Sequence, residues 1–224
     1  GGMRYLDLLT ALFATVLLVS NVASTKLVVL GPFTFDGGTL LFPLAYIFGD
    51  VLTEVYGYRK SRRVIWIGFF ALLLATLTFQ AVAHLPAPPD AESQRFGEAF
   101  GLLLGLTPRI VLGSLLAYFL GEFANAYVLA KLKVRTEGRF FWLRALASTL
   151  VGQGLDTGVF LLVAFYGVFP KEVLLAVFLS NYAFKLGVEA LMLPFTYAVV
   201  GFLKRAEGMD AYDRDTDFNP FRLT

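Results

Sequence analysis

Asp50 and Glu54 stand four residues apart in FGDVLTEVYGYRKSRR, residues 48–63, an apolar segment that ends in Arg59, Lys60, Arg62 and Arg63. That spacing puts two acids on one face of a helix. The pattern recurs along the chain. Glu122 pairs in spacing with Asn125, and Gln153 with Asp156; Asn181, Lys185 and Glu189 form an i, i+4, i+8 stripe. Asn21 and Thr25 repeat it near the N-terminus, with Lys26 adjacent. An ionisable side chain at the centre of a bilayer helix costs about 2.5–3.5 kcal/mol on insertion scales. Lys26, Asp50, Glu54, Glu122, Asp156, Lys185 and Glu189 together would swamp a typical net stability of about 5–15 kcal/mol unless they face one another, water or a ligand. Two of these groups are lysines and five are acids, so three acids are left for a cationic cargo, for protons, or for the hydrogen-bond donors of a neutral ligand. The chemistry to expect is a polar cavity shared by several helices.

The elements that must carry these stripes are membrane spans. Of the 224 residues 57% are hydrophobic, only 16% are charged, 23 are Phe, and the mean hydropathy is +0.68. Soluble domains carry roughly 25% charged residues, and a chain this small could not hide that much apolar surface from water. A helix across the hydrocarbon core needs about 20 apolar residues, and six segments qualify: 5–30, 38–57, 63–85, 107–132, 139–168 and 172–203. Basic residues cluster after the second span, around the link after the fourth (Lys131, Lys133, Arg135, Arg139, Arg144) and after the sixth (Lys204, Arg205), whereas the other three links hold only Arg95 and Lys171. The positive-inside rule then places both termini in the cytoplasm. The run Arg59–Arg63 reads as the cytoplasmic anchor of the second span. Residues 90–106 gather Phe96, Phe100, Leu103 and Leu104 on one face and read as a short surface helix.

The expected fold is therefore an all-α integral membrane protein: six transmembrane helices with a short surface helix between the third and fourth spans. Residues 1–204 form the transmembrane domain and 205–224 a cytoplasmic C-terminal tail. Gly1-Gly2 ahead of Met3 reads as a cloning remnant, and no cleavable signal peptide is expected, because the first apolar segment continues for a full span. The third span has no charge before its outer end and belongs at the lipid-facing periphery. Gly113, Ala117 and Gly121, and separately Gly154 and Gly158, offer small ridges for close helix approach.

Several function classes drop out. The chain has no cysteine and one histidine, His84, so neither a thiolate nor a histidine metal centre is expected, and a net charge of +2 gives no reason to expect nucleic acid. An intramembrane aspartyl protease would use Gly-x-Gly-Asp, whereas this chain reads Ile47-Phe48-Gly49-Asp50. There is no H-E-x-x-H, no G-x-S-x-G and no phosphate-binding G-x-x-x-x-G-K-[ST]. A passive channel would favour rings of like residues, and the mixture here is asymmetric. A mid-membrane carrier site fits best, with no enzyme activity and no cofactor. The candidate substrate-binding residues are Asn21, Tyr46, Asp50, Glu54, Glu122, Asn125, Gln153, Asp156, Asn181 and Lys185. Tyr46 enters because it lies one turn before Asp50 on the same face.

Four blocks, FGDVLTEVYGYRKSRR, GEFANAYVLAKLK, RFFWLRALASTLVGQGLDTGVFLLVAFYG and SNYAFKLGVEALMLPFTY, together with the ending AEGMDAYDRDTDFNPF, resemble the queuosine precursor transporters, a family of bacterial vitamin uptake transporters. The similarity runs from SNVASTK to NPF. It implies six helices in the bacterial inner membrane and uptake of cyano- and aminomethyl-substituted 7-deazaguanines. In that reading Glu122, Asp156 or Glu54 accepts from the donor edge of the guanine-like ring, and Gln153, Asn125 and Asn181 complete its hydrogen bonds. Asp50 meets a substrate amine or pairs with Lys185, Lys26 pairs with Glu189 or an outer acid, and Tyr46 stacks on the ring. A homodimer and proton coupling are compatible with the same architecture. The alternative is a carrier, or a substrate-binding membrane subunit, for another water-soluble vitamin or a nucleobase.

Overall fold

The computed structural model describes residues 3–31 and 33–222; Gly1-Gly2 and the last two residues of the tail lie outside the described residues. The chain is an all-α membrane protein in which six helical segments are long and apolar enough to cross a bilayer: Leu6–Ala23, Gly37–Tyr56, Tyr58–His84, Pro108–Arg135, Phe141–Phe165 and Lys171–Leu191. In chain order the helices are α1 (Leu6–Ala23), α2 (Phe42–Tyr56), α3 (Tyr58–His84), α4 (Ala91–Leu104), α5 (Pro108–Arg135), α6 (Phe141–Phe165), α7 (Lys171–Leu191) and α8 (Leu193–Glu207).

Two of the expected spans differ from the helices found. The first, expected over 5–30, stops at Ala23, and a short antiparallel hairpin follows, β1 (Leu27–Leu30) paired with β2 (Phe33–Asp36). The β-branched residues of Leu27-Val28-Val29 favour extended backbone, and Gly31 turns the chain at φ 58°. Ser20 Oγ donates to the Gly38 carbonyl at 2.9 Å and ties the hairpin's exit back to α1. Lys26 therefore sits outside the helix and is exposed, not a charge within a span. The sixth span, expected over 172–203, breaks at Met192 into α7 and α8. Pro194 explains the break: it has no N–H to donate and its ring would clash with the carbonyl four residues back.

The interior is built around α2, whose residues from Ala45 to Tyr56 are nearly all buried. Around it α5 and α6 cross closely. Gly121 and Gly152 face each other there, and a Cβ on Gly152 would come within 2.9 Å of Asn125 Cβ, the Gly121 carbonyl and the Tyr46 ring. Gly113 and Ala117 continue the α5 ridge against α6, whereas Gly154 and Gly158 face Tyr182 and Phe178 of α7. α3 turns much of its apolar surface outward, with Phe70, Leu74 and Leu77 exposed. α4 has no buried residue; it is capped by Asp90, which accepts from the Ser93 amide at 2.9 Å, and it meets α3 through Phe79 and Phe100.

The C-terminal segment folds back over the basic ends of the helices. Tyr58 N donates to Asp213 Oδ2 at 3.0 Å and Tyr58 Oη to the Phe218 carbonyl at 2.8 Å. Arg62 donates to the carbonyls of Asp217 and Asn219, and Trp66 Nε1 to that of Pro220. Phe221 packs on Trp66 and Phe119. Arg62, expected as part of a membrane anchor, is 2% exposed because the tail covers it.

Candidate functional site

The polar stripes separate into three levels. The first is a cavity of about 410 Å³, bounded by the C-terminal end of α1, the hairpin, the start of α2, the N-terminal part of α5, the C-terminal half of α6 and the middle of α7. Its lining includes Asn21, Asp36, Thr39, Phe42, Ser114, Tyr118, Asp156, Thr157, Phe160, Asn181 and Lys185. The volume falls within the roughly 300–1,000 Å³ of small-molecule sites. Tyr46 Oη donates to Asp156 Oδ2 at 3.2 Å and fixes the carboxylate. From the neighbouring α7, Lys185 Nζ donates weakly to Thr157 Oγ1 at 3.4 Å and stands 4.3 Å from the centroid of the Phe42 ring. Lys185 makes no ion pair among the described residues, so its donors and the free lone pairs of Asp156 are available to a ligand. The expected Asp50–Lys185 pair is not formed.

Beneath the cavity lies a buried polar cluster: Asp50 of α2, Glu122 and Asn125 of α5, Thr149 and Gln153 of α6, and Glu189 of α7. Asn125 Nδ2 donates to Asp50 Oδ1 at 2.9 Å, and Thr149 Oγ1 to Glu189 Oε1 at 3.2 Å. Five acceptor atoms there have no donor among the described residues: Asp50 Oδ2, Glu122 Oε2, Asn125 Oδ1, Gln153 Oε1 and Glu189 Oε2. Buried polar atoms are seldom left in that state. Tyr46 is fully buried between the two levels, so its ring has no face in the cavity. Phe42 and Phe160 supply the aromatic lining instead.

The third level closes the opposite end. Glu54 takes two bonds from Arg144, at 2.6 and 3.0 Å, and one from Lys204 at 3.1 Å. Lys133 lies 3.8 Å from Glu54 Oε1 and donates to the Glu54 carbonyl at 2.7 Å. Lys133 and Lys204 both bond Asp210 of the tail. Partial burial alone would raise the Asp210 carboxyl, but hydrogen bonds and charge from these two lysines outweigh it and hold the group below its ordinary value. Burial likewise opposes charge on Lys204, and Glu54 and Asp210 overcome it, so that ammonium is held above its ordinary value.

Of the ten candidates, Asn21, Asp156, Asn181 and Lys185 line the cavity. Tyr46, Asp50, Glu122, Asn125 and Gln153 form or adjoin the cluster behind it. Glu54 is apart from both, consumed by three cations. Sequence reasoning set the acids only against Lys26 and Lys185; the partners of Glu54 are Lys133, Arg144 and Lys204, assigned to the links by their position near span ends. Lys26 does not pair with Glu189, which is buried in the last turn of α7. Phe42, Thr157 and Phe160 were not anticipated, since an isolated aromatic or threonine in an apolar span carries no signal of its own.

Residues 36–199 match the family model described as "Putative vitamin uptake transporter". Over 83% of this chain and 80% of the relative, 36% of residues are identical to the "Probable queuosine precursor transporter" of Bacillus subtilis (strain 168). The chain belongs to the queuosine precursor transporter family. A second member, the "Queuosine precursor transporter" of Escherichia coli (strain K12), is 27% identical over 73% of this chain and 71% of its own length. The "Probable queuosine precursor transporter" of Haemophilus influenzae (strain ATCC 51907 / DSM 11121 / KW20 / Rd) is 26% identical over 73% of this chain and 67% of its own. No solved structure matches. The family match runs from the end of β2 into α8 and so contains Asp156, Lys185 and the whole buried cluster; Asn21 and the C-terminal strap lie outside it.

Proposed function

We propose that this protein carries 7-deazaguanine precursors of queuosine, the cyano- and aminomethyl-substituted bases, into the cell, and that the cavity around Asp156 and Lys185 is the binding site. The observation that carries the reading is one carboxylate and one ammonium, brought by α6 and α7 into a single cavity with aromatic lining, in a chain whose relatives are named queuosine precursor transporters. A guanine-like ring presents adjacent N–H donors, which a carboxylate accepts as a pair; Asp156, oriented by Tyr46, takes that role. The ring carbonyl accepts from Lys185 or Asn181. Phe42 and Phe160 offer flat apolar faces. Asp36, at the hairpin rim of the cavity, is the second carboxylate that a cationic aminomethyl group would favour. Glu54 has no part in binding.

The asymmetry of basic residues supports an inner-membrane orientation with both termini in the cytoplasm. The cavity then lies toward the outer side, from mid-membrane depth to the hairpin, and the Glu54 network closes the cytoplasmic side. α4 rests at the outer surface, its unburied Phe96 and Leu103 toward the lipid headgroups. A second cargo, another water-soluble vitamin, is favoured by the description of the family model.

The test is uptake of labelled precursor into cells that lack their own carrier. A charge-assisted hydrogen bond is worth about 1.5–3 kcal/mol, so Asp156→Asn is expected to weaken apparent affinity by about 10- to 100-fold at unchanged protein abundance. Wild-type uptake by this variant would refute the assignment, and uptake of an unrelated vitamin alone would favour the second cargo.

A further inference from the structure

Asp50 and Glu189 come from helices far apart in sequence and bring their carboxyls into hydrogen-bonding reach of each other. Each has one oxygen already served, Asp50 Oδ1 by Asn125 and Glu189 Oε1 by Thr149. The remaining oxygens, Asp50 Oδ2 and Glu189 Oε2, are buried and find no donor among the described residues. Two carboxylate oxygens cannot bond to one another unless a proton lies between them, because an ionised carboxylate is acceptor-only. Neither acid forms an ion pair among the described residues. The titratable groups facing the pair are Tyr46 from α2 and Glu122 from α5; Asp156 of α6 lies beyond those two, and Lys185, one turn up α7, lines the cavity. Glu54, one turn beyond Asp50, is occupied by Arg144 and Lys204.

We propose that the Asp50–Glu189 pair holds a single exchangeable proton and is the site through which this carrier couples import to the proton gradient. The proposal rests on the transport reading above but names a group outside the substrate cavity. With the proton present the pair carries one negative charge and one O–H···O bond. Release breaks that O–H bond, delivers the proton to water and leaves two carboxylates that repel. That state needs the two acids to separate or to be hydrated. Glu189 lies in the last turn of α7, directly before the break at Met192, so a swing of α7 about that break changes its distance from Asp50 on α2. Tyr46, bonded to Asp156 in the cavity wall and in electrostatic contact with Asp50 and Glu122, is the polar side chain that joins cavity and pair.

The first measurement needs no substrate. Infrared spectra of the full-length protein in detergent at neutral pH should contain a protonated-carboxyl C=O band that Asp50→Asn and Glu189→Gln each remove. An amide can donate to the partner carboxylate, so both variants keep the bond and the fold, checked by thermal unfolding. Superimposable spectra for wild type and both variants overturn the proposal whatever the cargo is. The second measurement uses proteoliposomes with the membrane potential clamped at zero and the neutral cyano-deazaguanine as probe. One proton per substrate and one pH unit, acid outside, support accumulation up to about tenfold. Glu189→Gln should exchange labelled for unlabelled substrate yet show no accumulation. Accumulation equal to wild type in that variant, or wild-type accumulation that follows a sodium gradient instead, overturns the coupling. Failure of wild type to exchange the probe counts against the cargo, and the infrared result then decides the proton site by itself.

Discussion

Glu54 and Asp156 are both buried acids in apolar helices, and their neighbours give them opposite uses. Glu54 is held by a bidentate Arg144 and by Lys204, with Lys133 against its backbone carbonyl; Asp156 is held by one tyrosine hydroxyl and otherwise faces the cavity. Removing one partner of a buried ion pair strands the other, which costs about 3–5 kcal/mol. Glu54→Ala should therefore lower the thermal unfolding midpoint sharply in detergent, because Arg144 is left buried without its carboxylate. The paired replacement Glu54→Met with Arg144→Met should recover much of that loss. Equal stability of Glu54→Ala and wild type would mean that the network is not a structural lock. The sequence marked both acids as expensive and hence as partnered. It did not say which was locked, since Arg144 is 90 positions away and stands among the basic residues of a link.

At the scale of elements, the α5–α6 crossing decides whether the site exists at all. Gly121 and Gly152 let two backbones and the Tyr46 ring meet in one layer; a Cβ on Gly121 would lie 2.5 Å from Tyr46 Oη and 2.8 Å from Asp156 Cβ. Overpacking of this kind costs about 1–3 kcal/mol, and here it would push directly on the pair that aims Asp156. Gly121→Ala should reduce uptake strongly while Gly187→Ala, where a Cβ meets open space, should not; equal uptake by the two would contradict the packing argument. The glycine ridge of α5 and the Gly154–Gly158 ridge, which faces α7, were legible from their four-residue spacing; Gly152, the α6 partner of Gly121, stands outside both repeats and was not. Helix ends were less legible than helix centres. Hydropathy runs straight through Met192 and through Leu27-Val28-Val29, and only the backbone rules for Pro194 and for β-branched residues mark the changes.

Across the whole molecule, the structure has a cavity at the end poor in basic residues and a fastened ion network at the other, which under the proposed function is one state of a two-ended carrier. The tail is part of that closure. Asp210 bonds Lys133 and Lys204, and the Ala211 amide donates to the Val55 carbonyl at 3.2 Å. Because the Asp210 carboxyl is held below its ordinary value, its contribution is present above the unfolded value of about 3.9 and is lost as pH falls through the lower folded one. Asp210→Asn should reproduce that loss at neutral pH, read as faster hydrogen exchange at the Ala211 amide; unchanged exchange would separate the tail from the network. The six-span plan and the polar interior were readable from composition and spacing. The strap was not, because Tyr58, Arg62 and Trp66 reach it largely through the backbone carbonyls of residues 217–220, which no side-chain pattern encodes. The central claim is that Asp156 reads the donor edge of a deazaguanine, and the most direct measurement is calorimetric titration of purified wild type and Asp156→Asn with the cyano-deazaguanine. The account predicts saturable binding to wild type and binding weakened by about tenfold or more in the variant; equal affinity for the two proteins, or no binding to a folded wild type, would contradict it.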